Sequence, residues 1–529
     1  MTQPVRNILI VGGGTAGWMA ALYLSTQLQA IGGRVTLVES SAIPTIGVGE
    51  ATVPPLVGFL RVLGLPEDEF LRRTSATYKL GIRLRNWVHG GAHGEDVYWH
   101  PFGPVGGDID SMPLFHFWLK SVRAGHDDGP FTSYSLQALL GEQGKAPRGF
   151  DQSTLIYDRG QYAYHLDAGA FAVYLREEAV RRGTRHIVDD VIQVRVDERG
   201  HIAGVGTRAN GELTAELYID CSGFRAILAE QALKDPYIDW SDVMLCDRAL
   251  AAPLPRTGDI PPCTRSTALR NGWVWQIGLT NRVGNGYVYS SSFTTEAAAA
   301  QELGRFLGQD PDVLQPRLLR MKVGRRTRFW IGNCIAMGLA SGFVEPLEST
   351  GIFAVQRGLA LLLTYYPDLD FAPRLAQRYN ERMGTMYDEI RDFIVAHYCL
   401  TQRTDTEFWR ACRSLRLPES LAEKLDAYDR TGLVEVVEHA VFPPPSWYCI
   451  LAGMGRLPRR HFPGADLSNF SQVRAILQAI RESHARLAQA LPSHEAFVEH
   501  MNRRAVQRSE MPPVGRADAA ATAGIGSSL

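Results

Sequence analysis

The stretch "NILIVGGGTAGWMAALYLS", residues 7–25, limits what this chain can fold into more than any other segment. A short apolar run, Ile8 to Val11, passes through Gly12, Gly14 and Gly17 into a run of helical spacing that starts near Ala16. Strand, glycines, then helix is the order a dinucleotide pyrophosphate requires. The glycines let the turn close and the backbone approach a phosphate, while the helix start at Thr15 and Ala16 offers unpaired N–H groups and the positive end of its dipole. A bare GxGxxG match carries little weight, but here "RVTLVES" supplies a second strand with Glu39, 22 residues past Gly17, placed to accept hydrogen bonds from a ribose hydroxyl.

Two later segments repeat the strand-to-turn pattern. "AELYIDCSGFRAIL" carries an apolar strand, Leu217 to Asp220, into a small turn at Cys221 to Gly223, and "RRTRFWIGNCIAMGLASGF" reads as a strand followed by a glycine-bearing turn around Gly332 to Gly338. A helix is expected from about Asp167 to Arg182, followed by strands in "IVDDVIQVRV" and "IAGVGTR". Three separated turns of this kind resemble the flavoprotein monooxygenase type of fold. The resemblance implies an α/β protein with FAD as its cofactor. A Rossmann-type βαβ, monooxygenase-like module with an inserted β-sheet substrate region would occupy residues 1–365. A mainly helical, substrate-capping lobe would follow over 366–509, then a Pro-, Gly-, Ala- and Ser-rich flexible tail over 510–529.

Composition removes other classes. A chain of 529 residues with 45% hydrophobic and 21% charged residues can bury a large pocket, and a net charge of -1 gives no general attraction to nucleic acid or an acidic membrane. Seven cysteines without a CxxC pair write neither a disulfide framework nor a zinc ribbon, which fits a reducing cytoplasm. No signal peptide or membrane-length apolar run is expected. His89 and His93 in "HGGAH" have no third ligand nearby, so no metal site is assigned.

"NGWVWQIGL", residues 271–279, places Trp273, Trp275 and Ile277 in alternation with Val274 and Gln276, the period of a half-buried strand. Alone, the pair reads as packing. Together with GGGTAG, "GVGEATVPP" at 47–55 and "FVEPLESTGI" at 343–352, it resembles the flavin-dependent halogenases of the tryptophan and indole type, over roughly residues 5–460. The resemblance implies that Trp273, Trp275 and Ile277 form a barrier that keeps substrate from the flavin, so that the oxidant formed there meets halide. The usual motif continues Ile-Pro, whereas this chain has Ile277-Gly278, which should loosen the strand locally.

The same resemblance assigns further roles. Lys79 in "TYKLG" would carry the oxidised halogen, with apolar flanks that bury the amine and lower its pKa. Glu348 would orient hypohalous acid and stabilise or deprotonate the cationic arene, and the backbone N–H groups of Thr350 and Gly351 would bind halide. Gly49, Ala51 and Gly338 join Gly12, Gly14, Thr15, Ala16, Gly17 and Glu39 as flavin-nucleotide contacts. His100 and Phe102 in "WHPFG" would line the substrate pocket, Phe102 stacking on an indole.

Tryptophan-acting members use a Tyr-Tyr pair followed by a glutamate to hold the amino acid. This chain has Trp447-Tyr448 there and no acid before Asp466, while Arg456, Arg459 and Arg460 are either carboxylate partners or surface cations. The expected activity is therefore chlorination or bromination of a neutral indole or a larger indole-containing molecule, at C3 for free indole, with oxygen, halide and reduced FAD diffusing from a separate NAD(P)H flavin reductase. A homodimer is left open. The alternatives are a flavin hydroxylase and a flavin-binding protein without turnover, neither of which needs Trp273, Trp275, Lys79 and Glu348 together.

Overall fold

The computed structural model describes residues 3–43, 49–91, 94, 96–150 and 161–510; His93 and the tail beyond residue 510 lie outside the described residues. The strand Asn7–Val11 lies parallel to and between Leu217–Asp220 and Arg34–Glu39. Cys334–Ala336 extends the sheet on one side and Arg185–Val188 on the other, both parallel, and Trp330–Ile331 closes one edge antiparallel. Parallel strands are covered on both faces, which is why Ile8 to Val11 is an unbroken apolar run, each residue buried to 2% exposure or less. The helices Thr15–Gln27 and Ala168–Arg181 pack against one another beside it.

This order sets the three turns at Gly12, Cys221 and Met337 side by side at the carboxyl ends of adjacent strands, where open α/β sheets bind ligands. One detail differs from the expected reading: Gly332 lies in the hairpin before the strand Cys334–Ala336, and the turn that meets the cleft is Gly338.

The second sheet has eight strands, in the order Arg317–Arg320, Arg248–Ala251, Arg282–Tyr289, Gly272–Gly278, Thr264–Ala268, Gly81–Arg85 and Val97–Pro101, with Leu254–Pro255 alongside Arg282–Tyr289. The tryptophan pair therefore lies mid-sheet. The strand is covered on both faces, contrary to the half-buried expectation, because Val274 packs with Tyr287, Ala299 and Leu303 beneath the helix Glu296–Leu307. Gly278 stays in the ladder opposite Val283, and its carbonyl accepts from the Thr77 hydroxyl at 2.6 Å, so the expected loosening is absent.

A small antiparallel sheet, Gly49–Ala51, Ala163–Asp167 and Thr77–Lys79, brings the "GEAT" segment beside Lys79. Helices from Pro373 to Glu510 share one continuous apolar core with the sheets, running from Val5 to Met501. Its longest member, Pro373–Cys399, buries Tyr379, Met383, Tyr387, Ile390 and Ile394 at the spacing expected of it. No described helix is long and apolar enough to cross a membrane, and all seven cysteines are free thiols.

Candidate active site

A cleft of about 790 Å³ opens over the three turns. Gly12, Gly14, Thr15, Ala16, Glu39 and Gly338 line it. Gly14 caps the helix Thr15–Gln27 without a side-chain cap, and no acid stands in the first turn, so the helix start is free to hold an anion. Gly338 has φ +62°, and a Cβ there would stand 2.7 Å from the Ala16 methyl, so both the turn and the close approach demand glycine. Gly17 is not on the cleft wall; a Cβ there would meet the Gly12 carbonyl at 1.9 Å, so it allows the helix to press on the strand. Glu39 reaches the cleft while Nε2 of His186 lies 2.8 Å from its Oε1. These residues fit a dinucleotide pyrophosphate and ribose.

The same cleft is walled by Gly49, Ala51, Trp275 and Ile277, and by the turn Ser349, Thr350 and Gly351. Thr350 and Gly351 open the helix Gly351–Thr364. Trp275 and Ile277 face Gly286 and Gly284 of the next strand; a Cβ at Gly286 would stand 1.9 Å from the Trp275 ring. Trp273 does not reach the cleft. It packs behind Trp275, ring centroids 6.2 Å apart, and against Trp87 at 6.2 Å.

Lys79 ends the strand Thr77–Lys79 and is fully buried. Its Nζ donates to the Ser349 hydroxyl at 2.8 Å and the Thr52 carbonyl at 3.1 Å, and stands 5.0 Å from the centre of the Phe102 ring. Burial lowers the ammonium to about 7 against the opposing pull of Glu348, Cys263 and Glu50. Ser349 holds φ +60°, a strained value for a residue with a side chain, at the junction of the cleft wall and the lysine. Glu50, half-buried on the cleft wall, is raised to about 7 by loss of solvation, with Lys79 acting the other way.

Glu348, 1% exposed, closes the one-turn helix Pro346–Glu348. Nδ1 of His100 lies 2.6 Å from its Oε2, and Nε2 of His397 lies 3.1 Å from its Oε1, though out of line for a hydrogen bond. Burial pushes this carboxyl up, but His100 and His397 outweigh it and hold it at about 2, so Glu348 is ionised. His397 itself is held below the usual imidazole range by burial. Phe393 and Phe442 stack at 3.8 Å and both lie against His100, and Trp447 sets its edge on Phe393 at 4.9 Å.

Tyr448 points elsewhere. Its ring lies flat on Phe115, with centroids 4.1 Å apart, in a separate aromatic cluster with Phe131 and Tyr428. Arg456 is held by both carboxylate oxygens of Asp429, at 3.0 and 2.7 Å, and Arg460 by the Arg430 carbonyl. His89 is exposed, and no group of three metal-ligating side chains occurs among the described residues. Ser349, Glu50 and His397 were not anticipated from the sequence; the i, i+4 spacing of Phe393 and His397 on a long helix was the available signal.

Comparisons with known proteins identify the family. The family described as tryptophan halogenase matches residues 7–469. Tryptophan 7-halogenase RebH of Lentzea aerocolonigenes is 37% identical, covering 95% of this chain and 100% of its own length. Tryptophan 6-halogenase ThaL of Streptomyces albogriseolus is 35% identical, covering 93% and 98%. Among solved structures, BrvH, a flavin-dependent halogenase from Brevundimonas sp. BAL3, superposes with a TM-score of 0.88 at 36% identity, covering 94% of this chain and 99% of its own. The chain, with its FAD cleft beside a buried lysine and glutamate, belongs to the tryptophan halogenase family and is a flavin-dependent halogenase.

Proposed function

We propose that this enzyme halogenates a neutral indole, with free indole reacting at C3, and that Lys79 delivers the halogen while Glu348 steadies the ring. Reduced FAD from a separate flavin reductase would supply the two electrons and two protons that, with dioxygen as oxidant, halide and one further proton, leave oxidised FAD, hypohalous acid and water. The Thr350 and Gly351 N–H groups, at the start of a helix on the cleft wall, suit a halide. Trp275 and Ile277 fill the cleft wall with bulk that keeps an arene out.

The observation that carries this reading is the position of Lys79 Nζ, bonded to Ser349 on the cleft side and facing Phe102 at 5.0 Å. Hypohalous acid reaching that amine is held against a buried aromatic wall, beside a carboxylate. The carbon–halogen bond forms as hydroxide leaves the halogen, ionised Glu348 stabilises the ring cation so formed, and the proton then lost from that carbon converts the hydroxide to water.

The substrate reading rests on the charged groups that follow Trp447 and Tyr448 in the chain. A zwitterion requires a carboxylate for its ammonium and a cation for its carboxylate. Asp466, the first acid after Tyr448, is engaged by Lys120 and His461, and Arg456 is engaged by Asp429. Relatives named for halogenating tryptophan at position 7 or 6 are 37% and 35% identical, too close to one another for similarity alone to set a ring position. The test is mass spectrometry of an indole panel incubated with protein, FAD, NADH, a flavin reductase and chloride or bromide; a halogen isotope pattern on indole supports the reading, and product from free tryptophan alone overturns it.

A further inference from the structure

Three residues before Glu348, the same turn carries a second buried carboxyl that the chemistry above leaves unused. Glu345 is 1% exposed. Consecutive residues of the helix Pro373–Cys399 meet the two acids: His397 faces Glu348, and Tyr398 faces Glu345. The surroundings are opposite in kind. Glu348 has two imidazoles, whereas the polar neighbours of Glu345 are the Tyr398 hydroxyl and the Trp273 indole N–H, neither aligned on its Oε1, and no cation offsets its burial.

Cys246, just ahead of the strand Arg248–Ala251, and Cys412, in the helix Glu407–Arg413, also feel the Glu345 carboxyl. Burial keeps the Cys246, Cys412 and Tyr398 protons on well beyond their usual range, and the nearest charges on the two thiols are Asp247 and Arg403. Sγ of Cys246 lies 3.6 Å from the Tyr398 hydroxyl. Oε1 of Glu345 and Nε1 of Trp273 each lack an aligned hydrogen-bond partner, and buried orphans of this kind are costly, so pairing them with one another is the favoured adjustment.

We infer that Glu345 is a positioning residue whose buried carboxyl ties Trp273 to Tyr398 and so fixes the aromatic barrier on the flavin cleft. The inference rests on the reading of that barrier given above. Trp273 is the ring behind Trp275, and Trp275 is the ring on the cleft wall, so whatever holds the first sets the position of the second. A neutral carboxyl has both a donor and an acceptor, enough for the indole N–H on one side and a hydroxyl or thiol on the other; an ionised one can only accept.

Burial raises Glu345 to about 8. A carboxyl raised in the folded state favours the fold below its ordinary pKa and costs stability progressively as pH climbs from the carboxylate range to about 8. Retaining such a group at neutral pH makes sense if it has work to do at the barrier, since glutamine would fit the same space without the cost. Above about 8 the site acquires a negative charge with no partner, and the clamp on Trp273 changes from a shared proton to a bare anion.

The experiment measures coupling, defined as halogenated product formed per oxygen consumed, from pH 6 to 9.5 in the full chain with FAD and a flavin reductase. Wild type, Glu345→Gln and Glu345→Leu are compared, with thermal melts at each pH. Wild-type coupling is expected to fall above about pH 8, Glu345→Gln to match wild type at pH 7 without that fall, and Glu345→Leu to lose coupling severalfold at every pH while oxygen is still consumed. Glu345→Gln should also melt no lower than wild type at pH 8. Lys79 and Glu50, both near 7, titrate alike in wild type and Glu345→Gln, so the difference between those two isolates Glu345. Parallel pH curves for wild type and Glu345→Gln, or normal coupling in Glu345→Leu, would overturn the inference; absence of halogenated product from wild type would instead sink the reaction reading itself.

Discussion

Nζ of Lys79 and Oγ of Ser349 lie 2.8 Å apart although 270 positions separate them in the chain. Ser349 walls the FAD cleft and Lys79 lies behind it in full burial, so one hydrogen bond joins the place proposed for halide oxidation to the place proposed for halogen transfer. The strained φ of +60° at Ser349 turns its hydroxyl to the lysine while leaving Thr350 and Gly351 on the cleft.

From this geometry, Lys79→Met should abolish halogenation while oxygen consumption changes little, because the lysine acts after the oxidant exists. Lys79→Arg should fail as well, since its planar fork does not replace an ammonium held by one hydroxyl and one carbonyl. The measurement is product by mass spectrometry alongside oxygen uptake. Retained product above a control with free hypohalous acid and no protein would remove the carrier role from Lys79.

Glu348→Gln should lower turnover on the order of 10²-fold, because amide for carboxylate keeps shape and loses charge. The pH dependence follows from its sign. Glu348 is depressed to about 2, so its ionised form, and the stability that form adds, are complete above the ordinary carboxylate range and are lost only as pH falls toward about 2. Across neutral pH the rate changes therefore belong to Lys79 and Glu50, and because Glu348 holds the Lys79 ammonium up against burial, Glu348→Gln should give a lowered profile whose Lys79 limb moves to lower pH. A Lys79 limb at the wild-type pH in the variant would show that the two groups are not coupled.

Gly286 supports the barrier from below. A Cβ at this position would stand 1.9 Å from the Trp275 ring, so Gly286→Ala should displace that ring and cost about 1–3 kcal/mol in stability. Gly14→Ala provides the contrast in packing, since a Cβ there meets nothing within 4 Å. Gly286→Ala should lower the melting temperature and raise hydrogen peroxide per oxygen consumed; unchanged values for both would mean that Trp275 has room to move without consequence.

The parts of this protein that were legible in its sequence are those written in backbone chemistry. Gly12, Gly14 and Glu39 announced a cleft because only certain residues tolerate a tight turn under a phosphate. The helix bearing Tyr379, Met383 and Tyr387 announced itself by its period. Lys79 and Glu348 have no local signature and were found through resemblance, and their partners Ser349 and His397 become neighbours only when the small sheet and the long helix close around them. The division of labour between Trp273 and Trp275 was also hidden, because a two-residue period puts both on one face without saying which reaches the cleft. Gly284 and Gly286 were readable as marks of close approach in a strand, and they lie opposite Ile277 and Trp275.

Substrate choice is the prediction with most at stake. The rings at this site are Phe102 beneath Lys79, and Phe393 and Phe442 against His100, with Trp447 against Phe393 and the Lys424 ammonium over the Trp447 ring. Tyr448 is committed to Phe115, Arg456 to Asp429 and Asp466 to Lys120, so none of these three is offered to the ammonium or carboxylate of tryptophan, both of which lose water on entry. Held by stacking alone, the ring should react where it is most electron-rich, which for indole is C3, and bromide, the more readily oxidised halide, should outcompete chloride. The expected outcome is 3-bromoindole as the main product when indole and tryptophan are offered together at equal concentration with both halides. Tryptophan, whose C3 already bears its side chain, should react slowly. Efficient halogenation of free tryptophan at one benzenoid carbon would show that other groups grip its polar end, and would place this enzyme's selectivity with that of its 6- and 7-halogenating relatives.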